Sequence, residues 1–121
     1  MGAGCRCHVL LLLPTAAFSQ TEKRVALLIG NQGYAAKVGP LKNPHNDVNL
    51  IKASLERIGF KVTVLKDANY KTMDSALKRY VDEVRLVGSG TLSFFYYSGH
   101  GVANSETQIN YLIPIDVMLS P

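Results

Sequence analysis

The sequence predicts an α/β domain with a mostly parallel sheet, and three observations predict it. Short apolar or β-branched runs of five to seven residues recur along the chain, the length of buried strands. Between them lie longer segments with apolar residues at three- and four-residue steps, the period of an amphipathic helix. Glycine, asparagine and proline punctuate the junctions. Strands that alternate with helices in this way imply right-handed β-α-β crossovers, and so parallel pairing.

Composition bounds the rest. The 121 residues suit one domain. A hydrophobic content of 47% excludes an intrinsically disordered chain. Lys and Arg number 13 against 9 Asp and Glu, but they are scattered, so no nucleic-acid partner is expected. Cys5 and Cys7 are the two cysteines, too few for a disulfide scaffold, and no thiol follows residue 7. They stand without nearby ligand partners, so a metal pair there is not indicated.

Residues 1–19 read as a signal peptide. Arg6 gives a basic start, and Val9 to Phe18 form an apolar run. Ala17 and Ser19 place small residues three and one before a cut, with the mature chain starting at Gln20. The run is too short to span a bilayer, which takes ~20 apolar residues. The expectation is a secreted or periplasmic protein without membrane attachment after cleavage. An uncleaved apolar tail is the alternative.

The folded part, residues 20–121, begins with Val25-Ala26-Leu27-Leu28-Ile29, a strand buried on both faces and ended by Gly30-Asn31. A loop rich in Gly, Pro and Asn follows. Asn43-Pro44 then starts a helix, with an N-cap type before proline at the first helical position. Val48, Ile51, Leu55 and Ile58 form its apolar face, and Gly59 stops it. Lys61-Val62-Thr63-Val64-Leu65 is the second strand, and Asp67-Ala68-Asn69 a turn. In the second helix Met73, Leu77, Tyr80 or Val81, Val84 and Val87 share a face, while Lys78, Arg79, Asp82, Glu83 and Arg85 fall mostly opposite, on a solvated one. Gly88-Ser89-Gly90 ends it. Thr91 to Tyr97 is a strong aromatic strand, followed by the loop Ser98-Gly99-His100-Gly101. Tyr111-Leu112-Ile113 is a last extended piece, broken by Pro114.

In open parallel sheets chemistry gathers beyond the C-terminal strand ends. Those ends here are Gly30-Asn31, Asp67-Ala68 and Ser98 to Gly101. His100 leads the candidates, since it follows a buried strand, has glycine on each side, and can exchange protons near neutral pH. A loop histidine bonded to a neighbouring carbonyl is the plainer alternative. Asp47 falls in the first helical turn, where a carboxylate also serves the helix N-terminus. His45 reads as a surface residue near that cap and Asp116 as a turn residue. Neither a Walker-type loop nor a G-x-G-x-x-G segment is present. A zinc site from His45, Asp47 and His100 matches no usual spacing, so no metal or cofactor is expected.

Several segments in order carry a resemblance. They are Arg24 to Asn31 with Tyr34, Leu41-Lys42-Asn43-Pro44-His45-Asn46-Asp47, Gly59-Phe60-Lys61-Val62, Phe95-Tyr96-Tyr97-Ser98-Gly99-His100-Gly101, and Asn110 to Asp116. Over roughly residues 23 to 117 the chain resembles the caspase-like cysteine peptidases, in particular the bacterial and metacaspase-type branch. The resemblance implies a three-layer caspase-like (caspase-haemoglobinase) fold, here partial, and a Cys-His dyad that cleaves peptide or protein substrates. His100 would be the catalytic histidine, and the Gly101 N–H an oxyanion donor. Asp47 and Ser98 would line the pocket for the residue before the cut, where a carboxylate suits Arg or Lys.

The chain departs from the family pattern at one point. The family's nucleophilic cysteine follows the histidine on the next core strand, in an Asp-x-Cys type segment, and no cysteine follows His100. Cys5 and Cys7 lie in the leader, on the wrong side of the fold by this reading. Two expectations follow. In one, these residues are the N-terminal part of a caspase-like endopeptidase whose remaining half carries the cysteine. In the other, they form a catalytically dead half-domain that acts by binding. Without the strand that bears the cysteine, the aromatic strand is expected to be a sheet edge that invites aggregation.

Overall fold

The computed structural model describes residues 7–8 and 22–119. The apolar run of the leader, its cut before Gln20 and Cys5 lie outside the described residues. The chain runs β1 (Cys7–His8), β2 (Lys23–Gly30), α1 (Pro44–Arg57), β3 (Lys61–Lys66), α2 (Tyr70–Val87), β4 (Thr91–Ser98), β5 (Gly101–Asn104) and β6 (Ile109–Leu112). A single 3-10 turn, Gly88–Gly90, joins α2 to β4.

The main sheet has the order β1-β4-β2-β3. β2 pairs in parallel with β3, from Val25↔Lys61 to Gly30↔Lys66, and with β4, from Lys23↔Thr91 to Gly30↔Ser98. Right-handed crossovers explain the layers. The chain leaves β2 toward one side through α1 to β3. It then returns past β2 to the other side through α2 to β4. Opposite directions of travel put the two helices on opposite faces, giving three layers.

Strand alternation divides the core between those faces. Ala26, Leu28 and Tyr96 pack with Val48, Leu55 and Phe60 on the α1 side. Leu27, Ile29 and Tyr97 pack with Ala68 and Met73 on the α2 side. The expected strand buried on both faces is β2. On α2 the structure chooses Tyr80, which meets Phe95 at 6.4 Å between ring centroids. Val81 and Val87 are exposed instead.

Helix ends follow local chemistry with one difference. Pro44 opens α1, but the Asn43 side chain makes no capping bond; its carbonyl accepts from the Asp47 N–H at 2.9 Å. At the other end Gly59, at φ 84, closes a Schellman pair. Phe60 N–H bonds Leu55 O and Gly59 N–H bonds Glu56 O, each at 3.1 Å. α2 is capped twice: Asn69 Oδ1 accepts from Thr72 N–H at 2.8 Å, and Asp116 Oδ1 accepts from Tyr70 N–H at 2.9 Å. Asp116 lies in a turn closed by Val117 N–H on Pro114 O, as expected, and caps α2 as well.

Two further corrections concern strands. The segment after His100 is a hairpin, β5 with β6, in the register Gly101↔Leu112 to Asn104↔Ile109. Its polar and small residues hid β5 in the sequence. The N-terminal segment is also not wholly apart from the sheet. β1 pairs antiparallel with β4, Cys7↔Tyr97 and His8↔Tyr96, so Cys7 lies at the strand end that leads to His100. An open strand edge offers unpaired N–H and C=O groups to any extended segment, a contact that apolar patterning does not reveal. Among the described residues no helix is long and apolar enough to cross a membrane.

Burial ranks the core positions. Leu28 is 0% exposed, so Leu28→Ala is expected to cost ~2–5 kcal/mol in denaturant unfolding. Leu50 is 62% exposed, and Leu50→Ala is expected to change stability by less than ~0.5 kcal/mol. Equal effects of the two would contradict this packing.

Candidate active site

The chain reverses direction about β2, and such a switch point opens a crevice at the C-terminal ends of the two strands beside it. β2 ends at Gly30, where a Cβ would stand 2.8 Å from Pro44 O. The bare glycine lets the first turn of α1 come against the strand. Asn31 is fully buried. Its N–H donates to Ser98 O at 2.8 Å, extending the β2–β4 ladder by one bond. Its side-chain oxygen accepts from Ala68 N–H at 2.8 Å, and its amide nitrogen lies 3.4 Å from Ala68 O and from Ile113 O. One buried amide thus ties together the segments that leave β2, β3 and β6.

His100 stands one residue past Gly99 beyond β4. Its Nε2 is 2.7 Å from Gly39 O. A carbonyl can only accept, so Nε2 carries a proton, and the neutral form of the ring then has its lone pair on Nδ1. Gly39 is at φ 100, a left-handed conformation that glycine adopts without strain. The Tyr34 ring lies 4.6 Å from the imidazole between centroids, tilted by 55°. His100 N–H donates to Tyr34 Oη at 3.1 Å, and His100 O accepts from Tyr97 Oη at 2.6 Å. A Cβ on Gly99 would meet Tyr97 Oη at 2.5 Å and Tyr34 Oη at 2.8 Å, so this glycine makes room for both phenols.

The other expected residues fall around this point. Gly101 is buried and opens β5. Ile113 N–H donates to His100 O at 3.1 Å. Bonded pairs alternate along an antiparallel ladder, so the Gly101 N–H is turned away from β6. Ser98 Oγ donates to Asp47 Oδ2 at 3.2 Å, joining the end of β4 to the first turn of α1. The two residues expected to share a pocket are thus neighbours.

A second polar cluster was missed by the sequence reading. Asp67 is at φ 52, and its Oδ1 accepts from Gln32 N–H at 3.0 Å and Gly33 N–H at 2.9 Å. His45 Nε2 lies 2.9 Å from the same oxygen, and His45 N–H donates to Gln32 Oε1 at 3.0 Å. His45 is therefore a partly buried tether, not a surface decoration. Partial burial pushes the Asp67 carboxyl up, but the Gln32 and Gly33 N–H bonds and His45 outweigh it and hold the group below its usual range. The available signal was a strand-end Asp, a residue type that tolerates left-handed backbone. Gly39 O carries no sequence signal, because a carbonyl has no residue type.

Among the described residues, no three His, Cys, Asp or Glu side chains could hold a metal ion together. A cavity of about 310 Å³ lies elsewhere, between α2 and the sheet, against Leu27, Leu65, Ala76, Arg79 and Tyr80. The His100 site is an open strand-end crevice rather than this cavity.

Comparison with known proteins adds two findings. A family model described as the caspase domain matches residues 23–121. The chain is also similar to Metacaspase-9 of Arabidopsis thaliana, 39% identical over 119 aligned positions that cover 81% of this chain and 35% of that protein. The chain thus spans about a third of the length of this curated relative.

Asp67 makes a pH prediction. Its folded value is depressed, so its contribution is present above the unfolded value, about 3.8, and is lost as pH falls through the lower folded value. Asp67→Asn tolerates the same backbone and is expected to flatten the fall of Tm on acidification below about pH 4. A wild-type acid limb unchanged in the variant would contradict this. Gly99→Ala is expected to destabilise by ~1–3 kcal/mol, because the new methyl displaces two bonded phenols. A neutral thermal melt would overturn that contact.

Proposed function

The chain belongs to the caspase-domain family, and from that premise we propose that it is the N-terminal part of a cysteine-type endopeptidase whose His100 works with a cysteine thiolate. The Nε2 bond of His100 to Gly39 O carries this reading, because it leaves Nδ1 to handle the substrate proton. The thiol belongs to chain outside residues 8–121, which contain no cysteine. His100 takes the thiol proton at Nδ1, and the thiolate attacks the scissile carbonyl carbon. The Gly101 N–H faces the oxygen that gains charge. When the C–N bond breaks, His100 returns the proton to the leaving amine. Water then hydrolyses the thioester, with His100 as base.

Asp47, with Ser98 beside it, is the recognition carboxylate in this proposal. A negative group at a pocket wall favours Arg or Lys before the cut. Residues 1–19 direct export and are removed before Gln20. That cut also takes away β1 and leaves the Tyr96–Tyr97 edge of β4 for another strand.

Genomic sequence past codon 121 is the first test. An in-frame Asp-x-Cys region supports the endopeptidase; a stop codon favours a half-domain that binds without cleaving. The 121-residue chain alone is expected not to hydrolyse Arg or Lys peptides. Turnover by it that vanishes in His100→Ala would sink the external-thiol proposal. In the chain extended through the cysteine, His100→Ala is expected to lower kcat by ~10²–10⁴. Asp47→Asn there is expected to lower kcat/KM for Arg peptides ~10–100-fold, the worth of a charged hydrogen bond. Retained Arg preference would remove Asp47 from the recognition role.

A further inference from the structure

We infer that Tyr34 is a positioning residue for His100: its buried hydroxyl takes the His100 N–H while its ring flanks the imidazole. The role rests on the reading of His100 as the proton carrier. Its geometry is independent of that reading.

Counting protons assigns each bond. A phenol has one proton to give. Tyr97 Oη lies 2.6 Å from His100 O and gives its proton there. Tyr34 Oη lies 2.7 Å from Ile113 O and gives its proton there. The Tyr34 oxygen is then left as acceptor for His100 N–H at 3.1 Å. Both polar groups of the His100 backbone are thus held by phenols, whose oxygens lie 3.1 Å apart. This occurs at the corner between β4 and β5, where, among the described residues, no neighbouring strand bonds the His100 N–H. Tyr34 is only 4% exposed, so water has little access to replace its hydroxyl.

The same loop also holds the ring. Gly39 N–H and Val38 N–H both bond Ala35 O at 3.0 Å, which folds residues 34–39 into a tight turn. One end of that turn places the Tyr34 ring against the imidazole face, and the other places Gly39 O at Nε2. Backbone anchor, ring face and tautomer-setting carbonyl therefore come from one short segment.

Tyr34→Phe separates this role from simple packing. Phenylalanine keeps the ring and the core volume. Ile113 O keeps the Asn31 amide nitrogen at 3.4 Å as a donor. The unpaired group is then the His100 N–H. Nitrogen-15 NMR of the 121-residue chain reads the outcome without any turnover, so failure of the peptidase proposal leaves this test intact. The expected result is His100 amide exchange faster by about tenfold or more, with Tyr96 and Phe95 amides unchanged. The imidazole is expected to move from one Nε2–H tautomer to a mixture. An unchanged His100 amide and tautomer, or a uniform loss of protection along β4, would overturn the proposal. Should the variant not fold, the wild-type chain decides. A protected His100 amide beside an Nε2–H ring supports the role, and an unprotected amide or an Nδ1–H ring refutes it.

Discussion

Lys23–Gly30 and Thr91–Ser98 pair in parallel along their whole length, so the two strands leave the sheet side by side at one edge. The Asn31 N–H bond to Ser98 O carries that pairing one step past the last strand residues. Everything at the site depends on this. The loop after β2 must pass beside the segment after β4, and only there can Tyr34 and Gly39 reach His100. A one-residue slip would move Leu27 and Ile29 to the α1 face and Ala26 and Leu28 to the α2 face. The two-sided core therefore locks the register that the site uses.

The loop after β2 is held at three places by different chemistry. Asp67 gathers the N–H groups of Gln32 and Gly33 and the ring of His45 at its start. Tyr34 is fastened to Ile113 O. Leu41 N–H bonds Gln32 O at 2.9 Å near its end, just before α1. An irregular segment tied in this way behaves as part of the scaffold. A carbonyl such as Gly39 O can then serve as a fixed acceptor for an imidazole. Rigid strands position functional loops in many α/β folds, and here buried polar side chains continue that rigidity beyond the strands.

The elements were legible in the sequence because their signals are local. Val25 to Ile29 is apolar without a break, α1 begins at a proline, and Gly59 meets the left-handed requirement of a helix stop. His100 was legible for a related reason, since glycines flank it directly after a strong strand. β5 was not legible: Gly101-Val102-Ala103-Asn104 is short and weakly apolar, and its identity comes from pairing with β6. β1 was hidden in a segment whose composition suggests a leader. The tether of His45 and the cap made by Asp116 were not legible because their partners, Asp67 and the Tyr70 N–H, lie 22 and 46 residues away.

Sequence by itself determined the α/β class, the order β2, α1, β3, α2, β4 of the main elements and the place of His100 just beyond a strand end. Periodicity, glycine placement and short motifs express these over a few neighbouring residues. Tertiary structure alone decided which ring nitrogen of His100 carries the proton, that two phenols hold its backbone, and that Asp67 gathers the loop. Those outcomes rest on contacts between residues as much as 66 positions apart and on a backbone carbonyl. A carbonyl is the same at every position, so only the folded chain distinguishes the one that faces the histidine.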